Sequence, residues 1–139
     1  MNIFKISLIL GTLLLTSEPL IARDFDAFEY RNIGPSRGGR VTAVAGTVAA
    51  PATFYLGASG GGVWKTEDYG TRWHVVSDGY FDSPSIGDIS VAQNDPNIVY
   101  VGTGSDGLRS IVLSGNGMYK SIDGGETWEH IGLSESGHL

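Results

Sequence analysis

The chain of 139 residues has no cysteine, so disulfides, thiolate metal sites and lipid attachment at a signal-peptide cysteine are all excluded. It has no excess of positive charge either. Nine Lys and Arg stand against 15 Asp and Glu, a net charge of −6, which argues against nucleic acid and anionic membranes as partners. Its three histidines, His74, His130 and His138, show no His-x-x-x-His or His-Glu spacing, so no metal site is expected. No cofactor is expected. Nor is there an apolar run long enough to span a membrane, for which about twenty residues are needed. The longest, from Ile6 to Leu15, follows Lys5 and precedes Pro19 and the small residue Ala22. That order is a secretory signal peptide over residues 1–22, cleaved after Ala22. It places the mature chain in the periplasm, on the cell surface or outside the cell, with no membrane span after cleavage. No convincing amphipathic helix follows.

What is abundant is glycine, 21 residues, with 5 Pro, 3 Trp, 6 Tyr and 5 Phe, the profile of short strands joined by tight turns. An all-β fold follows. Its organisation is set by an internal repeat. The stretch Ser121-Ile122-Asp123-Gly124-Gly125-Glu126-Thr127-Trp128 has a degraded copy, Thr66-Glu67-Asp68-Tyr69-Gly70-Thr71-Arg72-Trp73, and both read Ser/Thr-x-Asp-x-Gly-x-x-Trp. The offset is a constant 55 residues from Asp68 to Asp123, Gly70 to Gly125 and Trp73 to Trp128. Each copy lies between two apolar runs and so joins two strands, the second run starting at Trp73 or Trp128. The Asp bonds amides of its own turn, the Gly takes a positive φ and the Trp leaves the turn as a large buried anchor.

Two further pairs of strands correspond. Thr53-Phe54-Tyr55-Leu56-Gly57 matches Ile98-Val99-Tyr100-Val101-Gly102, and Arg40 to Ala45 matches Ile86 to Ala92. The offset between the tyrosines is 45, so the second unit carries about ten extra residues, roughly Ser105 to Gly115, between its second and third strands. Each unit has four strands. The expected layout is a lead-in over 23–39, one unit over 40–78, a linker over 79–84, a second unit over 85–133 and the start of a further linker over 134–139.

The repeated motif resembles the Asp-box, or BNR repeat, of sialidase, sortilin and xyloglucanase-like propellers. The second copy matches that pattern throughout, while the first has Arg72 where Thr is usual. The chain further resembles the N-terminal part of large exported bacterial proteins with sortilin-like (VPS10-type) propellers, often labelled glycosyl-hydrolase-like. Tyr30-Arg31-Asn32-Ile33-Gly34-Pro35, Gly38-Gly39-Arg40-Val41, Gly60-Gly61-Gly62-Val63-Trp64-Lys65, Tyr100-Val101-Gly102-Thr103-Gly104 and Gly117-Met118-Tyr119-Lys120-Ser121 carry that resemblance. It implies a β-propeller of four-stranded antiparallel blades, of which about two are present. Because propellers typically close with about four to eight blades, the chain is expected to be a fragment whose partners include further blades of the same longer chain.

Chemistry is harder to place. The run Gly102 to Gly107 matches GxGxxG, but too few residues follow before the next glycines for the helix that must receive a pyrophosphate. Tyr30-Arg31-Asn32-Ile33-Gly34-Pro35 is a loose echo of the sialidase arginine motif. The catalytic Asp of xyloglucan-cleaving propellers aligns with Ser59, which cannot act as a carboxylate base. Thr66, Asp68, Gly70, Trp73, Ser121, Asp123, Gly125, Thr127 and Trp128 are assigned to scaffold, and no residue is assigned to catalysis. Arg37, Arg40, Ser59, Gly60, Gly61, Asp106 and Arg109 are the candidates to face a ligand, since glycine clusters at strand ends allow close backbone approach. The expected function is a non-catalytic binding scaffold for a protein, peptide or glycan. The alternative is a propeller-type glycoside hydrolase whose carboxylates lie downstream.

Overall fold

Eight strands follow one another without a helix in the computed structural model, which describes residues 40–105, 107 and 112–139. The signal segment, the lead-in with Arg31 and Arg37, and the loop residues Asp106 and Arg109 lie outside the described residues. The first four strands, β1 (Val41–Gly46), β2 (Phe54–Ala58), β3 (Gly62–Thr66) and β4 (His74–Val75), form one antiparallel meander. β5 (Ile86–Val91), β6 (Val99–Thr103), β7 (Met118–Ser121) and β8 (Glu129–Gly132) form another. The repeat extends to irregularities. A bulge interrupts β1 between Val41 and Ala43, and its counterpart interrupts β5 between Ile86 and Asp88.

The fourth strand of each unit begins one residue later than the sequence pattern places it. Trp73 and Trp128 belong to the turns, and the ladders open on Lys65 with His74 and on Lys120 with Glu129.

The core lies between the sheets. In β5, Ile86, Ile89 and Val91 point inward while Asp88 and Ser90 face out, the alternation of a half-buried strand. They meet Ala43, Tyr55 and Val63 of the first sheet, with Val99, Val101, Tyr119 and Trp128 completing the cluster. Ile86, Val63, Val99 and Val101 are wholly inaccessible. Each such side chain contributes about 1.5–3 kcal/mol. The first sheet is small where the second is large. A Cβ on Gly57 would stand 2.5 Å from Cγ2 of Ile86, so glycine at this place sets how closely β2 approaches β5.

Because a meander reverses at every turn, its connections gather at two ends. One end carries both repeated motifs, with residues 47–53 and 92–98. The other carries Arg40, the β2–β3 turn at 59–61, the β4–β5 link at 76–85, the β6–β7 connection at 104–117 and the segment after β8.

Candidate functional site

Sequence spacing draws attention first to the motif end. Ser121 donates from Oγ to Oδ1 of Asp123 at 2.7 Å and accepts from the amide of Gly125 at 2.8 Å. The same Asp123 Oδ1 accepts from the Thr127 amide at 2.9 Å, and Oδ2 accepts from the Thr127 hydroxyl at 2.5 Å. Those donors hold its carboxyl down to about 2, the Thr127 hydroxyl bond first, then the Thr127 amide and Ser121. The first turn repeats this with one bond fewer. Thr66 donates to Asp68 at 2.9 Å and accepts from the Gly70 amide at 3.0 Å, and the Arg72 amide donates to Asp68 at 2.8 Å. The Asp68 carboxyl is also lowered, chiefly by the Arg72 amide. Both carboxylates are committed to their own turns, on different sheets. Gly70 and Gly125 have positive φ, as do Tyr69 and Gly124 beside them.

The tryptophans part company. Trp128 is 8% exposed and donates from Nε1 across the sheets to the Val76 carbonyl at 2.8 Å. Trp73 is only half-buried and donates within its own turn to Gly70 at 3.2 Å, so the anchor expected there is a partial one. Around the second turn the inter-sheet grip is polar as well. Tyr55 donates its hydroxyl to the Gly124 carbonyl at 2.8 Å. Lys65, 5% exposed, meets Glu67 at 3.0 Å and Glu126 at 3.7 Å. Burial first, then the negative charges of Glu67, Glu126 and Asp123, push the Tyr55 phenol up to about 12.

The opposite end gathers four of the residues expected to face a ligand. The Ser59 amide donates to the Arg40 carbonyl at 2.9 Å, and Gly60 and Gly61 form the β2–β3 turn just beyond. Arg40, Gly60 and Gly61 are exposed. The glycines also have a packing role, because Gly62 has positive φ and a Cβ there would collide with the Ser77 hydroxyl. Asp106 and Arg109 lie outside the described residues. The feet of their loop are nevertheless fixed, Ser105 Oγ accepting from the Leu113 amide at 2.9 Å and Ser83 donating to the Ser114 carbonyl at 2.8 Å.

At this end a cleft of about 430 Å³ is lined by Tyr80, Asp82, Asn116, Tyr119, Trp128, His130 and Ser134. Asn116 is its pivot. Its Nδ2 donates to Tyr119 OH at 2.8 Å and to Asp82 Oδ2 at 3.2 Å, while its backbone carbonyl lies 2.8 Å from His130 Nε2. Phe81 stacks on Tyr119 with ring centroids 4.2 Å apart and meets Trp128 edge-on at 5.2 Å, which stiffens the wall. Tyr80, Asp82 and His130 are exposed to an entering molecule. The surface offers aromatic area beside donors and acceptors, suited to holding a polar ligand with apolar faces. Sequence spacing missed this cleft, since Tyr80 and Asp82 belong to the β4–β5 link, Asn116 to the β6–β7 connection and His130 to β8. One signal was available, as His130 stands two residues after Trp128, the spacing at which extended chain returns to the same side.

No protein-family model matches the chain, and no curated protein does. Among solved structures, an ancestral GH74 enzyme superposes with a TM-score of 0.55 at 21% identity, over 76% of this chain and 12% of that one. The two sheets are β-propeller blades. Two further GH74 enzymes are similar more loosely. That of Niastella koreensis gives a TM-score of 0.43 at 23% identity over 60% and 12% of the two chains, and the xyloglucanase of Xanthomonas campestris 0.45 at 18% over 69% and 15%. The chain spans 12% of the ancestral enzyme's length. Likeness at this identity speaks for fold alone.

Proposed function

We propose that this chain is an exported propeller segment that binds rather than transforms its ligand, a glycan or a polypeptide held at the end of the blades opposite the repeated motifs. The observation that carries this reading is the cleft around Asn116, where exposed Tyr80, Asp82 and His130 stand beside stacked rings. Asp82 is the one carboxylate among its lining residues, whereas glycoside hydrolysis ordinarily uses two flanking the scissile bond. Asp68 and Asp123 do not supply a second, being bonded into turns at the other end.

The likeness to the ancestral GH74 enzyme favours a second reading, in which the blades belong to a propeller-type glycoside hydrolase whose acids lie elsewhere. One experiment addresses both. The fluorescently labelled chain is applied to glycan and peptide arrays and incubated with polysaccharides while reducing ends are measured. Retention on either array that is lost in Asn116→Ala and weakened in His130→Ala, with no release of reducing ends, is the expected result. Release of reducing ends would overturn the binding reading.

A further inference from the structure

The hydrogen bonds around Asn116 leave the cleft with a definite set of unspent groups. Asn116 gives both protons of its Nδ2 away, one to Tyr119 OH and one to Asp82 Oδ2, so this amide has no donor left for a ligand. The Tyr119 oxygen also accepts from the Asp82 amide at 3.4 Å. Both of its partners are donors, and among the described residues no acceptor takes the Tyr119 proton. His130 Nε2 faces a backbone carbonyl, which only accepts, so the ring proton sits on Nε2. Nδ1 of the neutral ring is then an acceptor, with no partner among the described residues. Oδ1 of Asp82 is unmatched in the same sense, and among those residues no Lys or Arg pairs with this carboxylate.

Charge decides between the ligand classes. Among the described residues no lysine or arginine lines the cleft. Two of the segments that build it, the β4–β5 link over 76–85 and residues 128–139, carry Asp78, Asp82, Glu129 and Glu135 and no Lys or Arg. Lys120, on β7, is turned to the Tyr100 ring, 5.6 Å from its centroid. A ligand that covers Asp82 takes water from a carboxylate whose partner among the described residues is a neutral amide, which costs free energy unless the ligand brings a cation. A sugar hydroxyl leaves that charge uncompensated. The rings point the same way. Tyr119 is buried against Phe81 and His130, and Trp128 is buried as well, so neither has a face to lay on a sugar. Tyr80, 41% exposed, is the lining ring with area to offer, and one ring suits one planar group.

We propose that the cleft holds an arginine side chain of a polypeptide, its guanidinium on Asp82 Oδ1 and His130 Nδ1 and against the Tyr80 ring, with a carbonyl of the same polypeptide accepting the Tyr119 proton. Both acceptors flank Asn116, which bonds the residues that carry them. A guanidinium is planar, carries only donors and stacks on aromatic rings, so it meets two acceptors and a ring together, where an ammonium concentrates its charge at a point. The net charge of −6 favours the approach of a basic partner. The inference rests on the reading of this cleft as a binding site and selects the polypeptide from the two ligand classes named for it.

The test follows the NMR resonances of Tyr80, the Asn116 side-chain amide and His130 while a tripeptide of glycine, arginine and glycine, blocked at both ends, is added to the chain. The same tripeptide with citrulline, lysine or glutamate in place of arginine is then compared. Citrulline keeps the shape of arginine without its charge. The expected result is a saturable shift of those resonances by the arginine tripeptide, with citrulline and glutamate weaker by about tenfold or more and lysine between. Asp82→Asn should bring arginine down to the citrulline level. The comparison of arginine with citrulline is made on the unaltered chain and stands whatever the variant does to folding. Equal binding of the two would overturn the inference, as would lysine binding as tightly as arginine, or no shift with any tripeptide. A neutral oligosaccharide retained through Asn116, with these resonances unmoved by the arginine tripeptide, would overturn the choice of arginine and leave the binding reading standing. Release of reducing ends from a polysaccharide would overturn both.

Discussion

The two motif turns have nearly the same internal geometry and different surroundings. In both, a hydroxyl and an aspartate close the turn over a positive-φ glycine. Among the described residues only the second lies against another blade, and there Trp128, Gly124 and Glu126 reach Val76, Tyr55 and Lys65. In the first turn the Trp73 indole donates to Gly70 of the same turn. A motif of this kind is therefore two devices in one segment, a self-contained turn and a clamp that acts only where a neighbour is present. The same division runs through the sheets. The face of β6 that holds Val99 and Val101 is sealed, while its counterpart on the first blade leaves Phe54 41% exposed and, on β1, Val44 74% exposed.

The comparison is broken most directly at the tryptophans. Trp128→Ala should cost about 3–5 kcal/mol in chemical denaturation, as large-to-small changes of buried aromatic residues do. Trp73→Ala should cost well under half of that; equal losses would mean that the tryptophans serve the turns and not the blade contact. Gly57→Ala comes next. It drives a methyl into Ile86, and an overpacked core loses about 1–3 kcal/mol, to be read from the denaturation midpoint. Tyr55→Phe removes one buried hydrogen bond and should cost about 1 kcal/mol, whereas Tyr100→Phe, at the equivalent open position, should lie within about 0.5 kcal/mol of the parent.

The smallest effect concerns acid. The Asp123 carboxyl is depressed from 3.8 to about 2, so its contribution to stability is complete above pH 3.8 and is lost as the pH falls toward 2. Asp68 is depressed through a set of bonds that lacks the Thr127 hydroxyl. Carboxyl chemical shifts followed through an NMR titration should place the Asp123 midpoint below that of Asp68, and Arg72→Thr should move Asp68 toward Asp123. An unmoved Asp68 would show that the turns differ for reasons other than the missing hydroxyl.

The turns were readable because their interactions are local. Ser121, Asp123, Gly125 and Thr127 find their partners within four residues, so spacing alone carries the geometry. The strands were readable for a similar reason, alternation along β5 and the paired tyrosines marking faces and registers. Lys65 was not. It reads as an ordinary surface cation in sequence, and becomes buried because the next blade's turn closes over it. Asn116, in the long β6–β7 connection, likewise gains its place from partners on the β4–β5 link and on β7 and β8.

By itself the sequence determined the repeat, the all-β class, four strands to each unit and the turns that join them, because hydrogen bonds within a turn and alternation along a strand act over a few residues. Tertiary structure alone decided which tryptophan is an anchor, which lysine is buried and which polar side chains meet in a cleft. Those outcomes depend on the face a neighbouring blade covers, and desolvation is a property of that contact between surfaces.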